Sequence, residues 1–253
     1  MRTLPFISLV ILLLPSATLA QQAEQNEFAI DYEMVFVPGG EFKMGDLFFE
    51  VNQDALPVHL VTVDDFYIGK YPVTFEQYDA FANAYGLPLP EGNGRGRGSR
   101  AVINVDWDDA LAFCESLGYR LPTEQEWEYA ARSGGGIELF SGTNDRTSLE
   151  DFAHFQFNSR PVSQPVGTKK PNGLGIYDMS GNVFEWIGEW YNMYRTDPRR
   201  ITLYPIDERD MRVIRGGSIM QPPFTIRTYW RAYTFRGSRS GEIGLRCAAD
   251  YES

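Results

Sequence analysis

Residues 172–186 read Asn-Gly-Leu-Gly-Ile-Tyr-Asp-Met-Ser-Gly-Asn-Val-Phe-Glu-Trp. From Asp178 to Glu185, the stretch places two carboxylates, an amide and a glycine within eight residues. Calcium takes about six to eight oxygen ligands, many of them backbone carbonyls held by a tight loop. The spacing is not that of an EF-hand, so the residues alone leave two interpretations open: a calcium loop, or a turn stabilised by side-chain caps.

Three helices are predicted upstream of this stretch, over residues 74–85, 106–117 and 123–132. The first and third begin at Thr74 and Thr123, which can cap a helix, and each carries a Gln or Glu three residues later, which completes a capping box. Short strand-like segments precede the helices and follow residue 181. Because no internal repeat or linker appears within residues 31–253, the sequence predicts a single α+β domain with much irregular structure.

The N-terminus has the pattern of a secretory signal peptide: Arg2, an apolar run over residues 4–14, and small residues up to Ala20. The run is shorter than the roughly 20 apolar residues of a spanning helix. We therefore predict an exported protein, periplasmic or extracellular, with no stable membrane insertion once the signal is cleaved; an uncleaved anchor is the alternative. The predicted organisation is a signal peptide over 1–20, a leader over 21–33 and a domain over 34–253.

Charge and residue counts exclude some partners and sites. The formal net charge of −11 disfavours nucleic acid as a partner, because an acidic surface repels phosphate backbones. His59 and His154 are the only histidines, which excludes a three-histidine metal site. In an exported chain, Cys114 and Cys247 are most simply a disulfide, the alternative being two thiols that bind a metal.

Six strings over about residues 34–250 read MVFVPGGEFKMG, FYIGKYPVTFEQY, RLPTEQEWEYAAR, NGLGIYDMSGNVFEW, RVIRGGS and GLRCAAD. In these sequences and in this order, they resemble the formylglycine-generating, or sulfatase-modifying factor, family. The resemblance implies one compact domain related to C-type lectin folds. It also supports the disulfide, since both cysteines match the places where the family pairs them.

The resemblance implies a calcium site in the stretch quoted above. Asp178 and Glu185 match side-chain ligands, and Gly181 and Val183 match ligands that act through their backbone carbonyls. All four positions supply oxygen, as calcium requires. We therefore expect one calcium ion at this loop.

The chain departs from the family at the catalytic cysteines. Catalytic members carry two cysteines shortly after Arg-Gly-Gly-Ser, and their thiolates bind copper(I), a soft ion that requires soft ligands. In this chain the matching positions are Gln221 and Ile226, after Ser218. These three are the family's active-site positions, but none is assigned as catalytic here, and copper is not an expected cofactor.

The other motif residues have structural interpretations. Arg215 and Arg246 are expected to make buried ion pairs or carbonyl contacts. The three tryptophans of the motifs are expected to fill the core: Trp127, Trp186 and Trp190.

Three functions follow from these patterns. The first is a non-catalytic, calcium-binding exported module for a protein, peptide or small-molecule ligand; variable proteins of diversity-generating systems use this fold and region. The second is a periplasmic maturation enzyme similar to PvdO, and the third is the formylglycine-generating oxidase, against which the missing cysteines argue. The surface expected for the first function is rich in aromatic residues and arginine: Phe224, Arg227, Tyr229, Trp230, Arg231, Tyr233 and Phe235.

Overall fold

The computed structural model describes residues 30–49, 52–192 and 210–252. The expected signal peptide and most of the expected leader lie outside the described residues. Tyr32 already belongs to the packed core, and its hydroxyl accepts a hydrogen bond from the backbone of Cys247. The packed domain therefore begins before residue 34, the start expected from the sequence.

Helices and strands are both short, and irregular segments connect them. The helices are α1 (Phe75–Tyr85), α2 (Trp107–Ser116), α3 (Glu124–Ala131) and α4 (Leu149–Phe152). The strands are β1 (Met34–Val37), β2 (Gly40–Met44), β3 (His59–Val63), β4 (Phe66–Gly69), β5 (Phe184–Trp190), β6 (Met211–Arg215), β7 (Arg231–Phe235), β8 (Ile243–Gly244) and β9 (Ala248–Asp250). Within the described ranges, no helix has the length and apolar character needed to cross a membrane. This is the predicted α+β domain.

Helices α1 and α3 begin directly after their predicted capping residues, and α2 begins one residue after its predicted start. Thr74 with Gln77, and Thr123 with Glu126, each form a capping box in which side chain and backbone bond reciprocally. Asp106 caps the second helix in the same way. Each box satisfies backbone donors that the first turn of a helix leaves without partners.

The described strands form three sheets. β1, β4 and β9 form an antiparallel sheet in that order, and β2 pairs with β3. The third sheet has the order β7-β6-β5-β8, in which β8 runs parallel to β5. The residues 172–186 that open the sequence analysis lead directly into β5, at the centre of this third sheet.

The core confirms two of the three predicted tryptophans. Trp127 and Trp186 have no exposure, whereas Trp190 is 39% exposed. The prediction for Trp190 was wrong, because this residue lies at the end of β5, where its ring stacks on the guanidinium of Arg212 at 3.4 Å. Such a contact attracts a cation to the ring face and does not require burial of the whole indole.

The predicted disulfide is present. Cys114 of α2 is joined to Cys247, immediately before β9, with the two Cα atoms 5.6 Å apart. Neither cysteine has any exposure. The bond therefore ties the helical part of the chain to the strand that completes the first sheet.

Candidate functional site

Helix α3 carries a buried charged network into the segment that follows β6. Glu128, which is fully buried, pairs with Arg132 at 2.7 Å and with Arg215. Arg215 also donates to three backbone carbonyls of residues 228–230, at 2.9–3.2 Å. A buried charge that loses its partner costs several kcal/mol, about 3–5 in measured cases. The network therefore fixes the backbone of residues 228–230 against α3.

A second buried pair corrects the surface expected from the sequence. Arg231 donates to Glu124 at 2.6 and 2.9 Å and to the backbone oxygens of Asp54 and Asn192. Tyr229 is fully buried, and its ring stacks on Phe48 at 5.9 Å. Both Tyr229 and Arg231 were expected on a binding surface and lie beneath it instead. Tyr229 fills the core, and Arg231 neutralises the buried carboxylate of Glu124.

The remaining members of that predicted surface are exposed or half-buried. The rings of Phe224 and Trp230 meet edge to face at 5.6 Å, and Tyr233 lies 4.1 Å from the ring of Tyr191. Phe224 is 47% exposed and Phe235 is 58% exposed. We call this set the 219–241 surface; its members are Phe224, Arg227, Trp230, Tyr233 and Phe235.

Two of the three positions that the resemblance matches to the family's active site, Ser218 and Gln221, lie around a carboxylate that sequence analysis missed. The hydroxyl of Ser218 and the side-chain amide of Gln221 both donate to Oε2 of Glu242, the amide at 3.0 Å. Ser218 is fully buried and also accepts from the backbone of Met220 at 3.1 Å. Among the described residues, Glu242 has no cationic partner. Its one sequence signal was its place two residues before the Gly-Leu-Arg-Cys string of residues 244–247.

Ile226 is not part of this polar group. It is fully buried in an apolar cluster with Phe140, Phe155 and Tyr229. Of the two positions that the resemblance matches to thiolates, Gln221 is therefore hydrogen-bonded to a carboxylate and Ile226 lies in the core. Because the chain has two cysteines and both form the disulfide, no thiol is available elsewhere.

Asp178 fits the ligand role that the sequence assigns to it. Its Oδ2 accepts a hydrogen bond from the backbone of Gly167 at 2.8 Å, whereas its buried Oδ1 has no hydrogen-bond partner among the described residues. Burial raises the pKa of the Asp178 carboxyl to about 6, since desolvation disfavours the charged form. A bound cation would satisfy the free oxygen and favour the carboxylate.

Glu185 already has a cationic partner. Its two oxygens accept from Arg246 at 2.8–3.2 Å and from the indole nitrogen of Trp127 at 2.7 Å. Arg246 is fully buried and also donates to the carbonyls of Gly69 and Tyr177. In the described ranges, no group of three or more His, Cys, Asp or Glu side chains could hold a metal. A calcium ion here would therefore depend on Asp178 and on backbone carbonyls, with Glu185 shared between two cations.

His154 supports the same loop. Its ring nitrogens lie 2.9 Å from Ser159 Oγ and 2.7 Å from Thr168 Oγ1, and its carbonyl accepts from the backbone of Asn182 at 2.8 Å. Burial, with a smaller contribution from Lys169, lowers the pKa of the imidazole to about 4. The ring is therefore neutral near pH 7 and connects two irregular segments through hydroxyl groups.

Fold and site together define a class of protein: a single, largely irregular α+β domain whose loops are held by buried arginine–glutamate pairs. The sequence profile of the sulfatase-modifying factor enzyme 1-like domain matches residues 17–251. The chain belongs to this family, as its motifs indicate.

Individual relatives agree with this assignment. The formylglycine-generating enzyme of Streptomyces coelicolor is 31% identical, over 85% of this chain and 88% of its own length. That of Mus musculus is 29% identical, over 87% and 75%. Among solved structures, Treponema denticola variable protein 1 has a TM-score of 0.74 at 27% identity, covering 87% of this chain and 95% of its own. PvdO from Pseudomonas aeruginosa has a TM-score of 0.73 at 29% identity, covering 86% and 94%.

Replacing Arg246 by Met tests the buried pair. The change leaves Glu185 buried without its cation, and we expect it to lower the free energy of unfolding by about 3–5 kcal/mol. Lys70→Met is the matched control, because Lys70 pairs with Glu33 at the surface, where ion pairs contribute little. Urea unfolding of both variants measures the difference, and equal losses would contradict a special role for the buried pair.

The pKa of His154 predicts a dependence of stability on pH. The unfolded chain takes up a proton near pH 6.5, whereas folded His154 does so only near pH 4. The unfolded state therefore binds more protons in this window, and this contribution to stability is lost as the pH falls from about 6.5 to about 4. We expect His154→Gln to flatten that part of the unfolding profile. An imidazole that titrates near 6.5 by NMR in the folded protein would contradict the prediction.

Proposed function

We propose that this chain is an exported, calcium-binding member of its family that binds a protein, peptide or small-molecule ligand and does not oxidise a substrate cysteine. The observation that carries the proposal is the state of the two thiolate positions. The side-chain amide of Gln221 is hydrogen-bonded to Glu242, and Ile226 is buried in the core. Copper(I) requires soft ligands, and both cysteines of the chain are in the disulfide.

The 219–241 surface supports the binding role. Phe224 and Phe235 are large apolar side chains that remain about half exposed, and Trp230 packs beside Phe224. Exposed aromatic residues in a group mark interaction sites more often than scattered ones do. The buried pairs of Arg215 and Arg231 hold the backbone beneath them, so a ligand would meet a preformed surface, which lowers the entropic cost of binding.

A second candidate is a maturation enzyme similar to PvdO, and Glu242 favours it. A half-buried carboxylate that accepts two hydrogen bonds on one oxygen, and has no cationic partner in the described ranges, has the position of a group that accepts a proton from a substrate. The similarity to PvdO at 29% identity supports this candidate, and the similarity to a variable protein at 27% supports the first. The similarities therefore do not decide between a binding module and an enzyme, and the chemistry of the residues around Glu242 must decide.

Calcium is proposed as the cofactor of the Asp178 loop. When bound, the ion would supply positive charge to the free oxygen of Asp178, with the carbonyls of Gly181 and Val183 as further ligands. The support is the buried Oδ1 atom, which makes no hydrogen bond of ordinary geometry among the described residues, although the nearby Asn182 side chain lowers the pKa of this carboxyl against the larger effect of burial. Held in this way, the loop would enter β5 in a fixed conformation, beside the Glu185–Arg246 pair.

The oxidase activity is tested directly. The mature protein is incubated with copper(I), dioxygen and a Cys-x-Pro-x-Arg peptide, and the peptide is followed by mass spectrometry. We expect no conversion of cysteine to formylglycine, because the thiolate ligands are absent. The Streptomyces coelicolor enzyme under the same conditions is the positive control. Formation of formylglycine by this chain would contradict the proposal.

The calcium proposal is tested by thermal unfolding with calcium and with a chelator. An ion that binds only the folded state stabilises it by about 2.7 kcal/mol at one hundred times its Kd. We expect calcium to raise the Tm of the wild type and of Asp64→Ala, a change at an exposed carboxylate, but not that of Asp178→Ala. A calcium shift that survives Asp178→Ala, or no shift in the wild type, would exclude the proposed site.

A further inference from the structure

The outward face of the β1-β4-β9 sheet carries aromatic side chains. Phe36 of β1 lies opposite Tyr67 of β4, and Tyr67 lies opposite Ala249 of β9. Successive side chains of a strand alternate between the two faces of a sheet. Met34 therefore shares a face with Phe36, and Tyr251, two residues beyond Ala249, lies on the same side.

The opposite face of this sheet is the core, where Val37, Phe66 and Ile68 are fully or almost fully buried. An antiparallel sheet packed on one side normally presents polar residues on the other. Here Phe36 is 41% exposed and Tyr251 is 43% exposed. Their rings and that of Tyr67 lie 5.2–6.0 Å apart. An exposed apolar group of this kind marks an interaction site.

Beside these rings the surface has a cavity of about 420 Å³. Ala249, the cross-strand neighbour of Tyr67, has a small side chain that leaves room for this cavity. Its walls are aromatic, sulfur-containing and acidic: Met34, Tyr67, Tyr119, Asp250, Tyr251 and Glu252. We call it the tyrosine pocket. It lies on other elements than Ser218, Glu242 and the 219–241 surface, so it does not depend on the proposed function.

The charges around the tyrosine pocket are unbalanced. Asp250 accepts from Arg120 at 2.6 and 2.9 Å, and the same guanidinium pairs with Glu126 at 2.6 Å. Glu252 adds a third carboxylate at the rim. Among the residues that line the pocket, two side chains are carboxylates and none carries a positive charge. The net charge of −11 of the whole chain has the same sign.

We propose that the tyrosine pocket binds a small soluble quaternary ammonium compound. Aromatic faces carry negative charge density and attract cations, and groups of such rings recognise quaternary ammonium ligands. A quaternary ammonium has no N–H donors to satisfy, so it enters an aromatic cavity at less cost than a primary amine, which would lose hydrogen bonds to water. The surplus of carboxylates adds long-range attraction for a cation.

The test compares choline with 3,3-dimethyl-1-butanol, its neutral isostere, by NMR titration of the folded full-length mature protein. The two molecules have nearly the same shape, so a difference in Kd reports the charge. We expect choline to bind about tenfold more tightly than the isostere, from cation–π attraction. Equal binding of the two, or no saturable shift with choline, would overturn the proposal.

Variants locate the site. Tyr251→Leu keeps apolar volume and removes the ring, and we expect choline binding to weaken about tenfold, whereas Tyr251→Phe keeps the ring and retains binding. Tyr85→Leu is the control, since Tyr85 is an exposed tyrosine on α1. Circular dichroism confirms that each variant is folded. A loss of binding in Tyr85→Leu but not in Tyr251→Leu would place the ligand elsewhere and contradict the assignment.

Other occupants of this face give distinct results. A protein that sediments with phosphatidylcholine vesicles but shows no shift with free choline would be recognising a membrane surface. Self-association that rises with protein concentration and is abolished by Tyr251→Leu would mean that a second copy covers the rings. Either outcome would overturn the assignment of a small soluble ligand.

Discussion

Two buried arginine–glutamate pairs, Arg215 with Glu128 and Arg246 with Glu185, are the interactions on which the rest of this structure depends. All four side chains are fully buried. Each arginine also donates to backbone carbonyls, those of residues 228–230 in one case and those of Gly69 and Tyr177 in the other. A guanidinium has five N–H donors in a fixed plane, so it can satisfy carbonyls that no sheet or helix satisfies.

This arrangement explains how a domain with so little regular structure keeps defined loops. Buried backbone carbonyls require partners, and long irregular segments lack the ladders that normally supply them. The arginines supply donors, the glutamates neutralise the arginines, and α3 and β5 hold the glutamates in place. The segment after β6, which contains Ser218, Gln221 and Ile226, is thereby fixed at both ends. Because the backbone of this segment is held in place, its chemistry depends on which side chains stand at these three positions.

Much of the fold could be predicted from sequence, because its signals are local. The capping pairs Thr74–Gln77 and Thr123–Glu126 depend on residues three positions apart, and both occur as predicted. The disulfide followed from an even pair of cysteines and from family resemblance. Other features depend on contacts far apart in the chain. Tyr229 lies in an aromatic segment that was predicted to be a surface. Its burial depends on packing against Phe48, which is far away in the sequence.

The site shows the same division. Gln221 could be identified from its spacing after Arg-Gly-Gly-Ser, but its partner Glu242 is 21 residues further along the chain and has no motif of its own. Burial also separated two residues that the sequence treats alike, since Trp186 is in the core and Trp190 is not. Strand alternation places two residues four positions apart on one face, and the change of register in β5 between these two tryptophans breaks that pattern.

Amide hydrogen exchange of Arg215→Lys tests the role of the buried pairs most directly. Lysine keeps the charge beside Glu128 but lacks the planar set of donors that reaches three carbonyls. If the guanidinium holds the loop, exchange will accelerate in residues 226–231 and remain unchanged in α2, which the disulfide anchors. Unchanged protection of residues 226–231, or equal acceleration throughout the domain, would contradict a local role for Arg215 in holding the site.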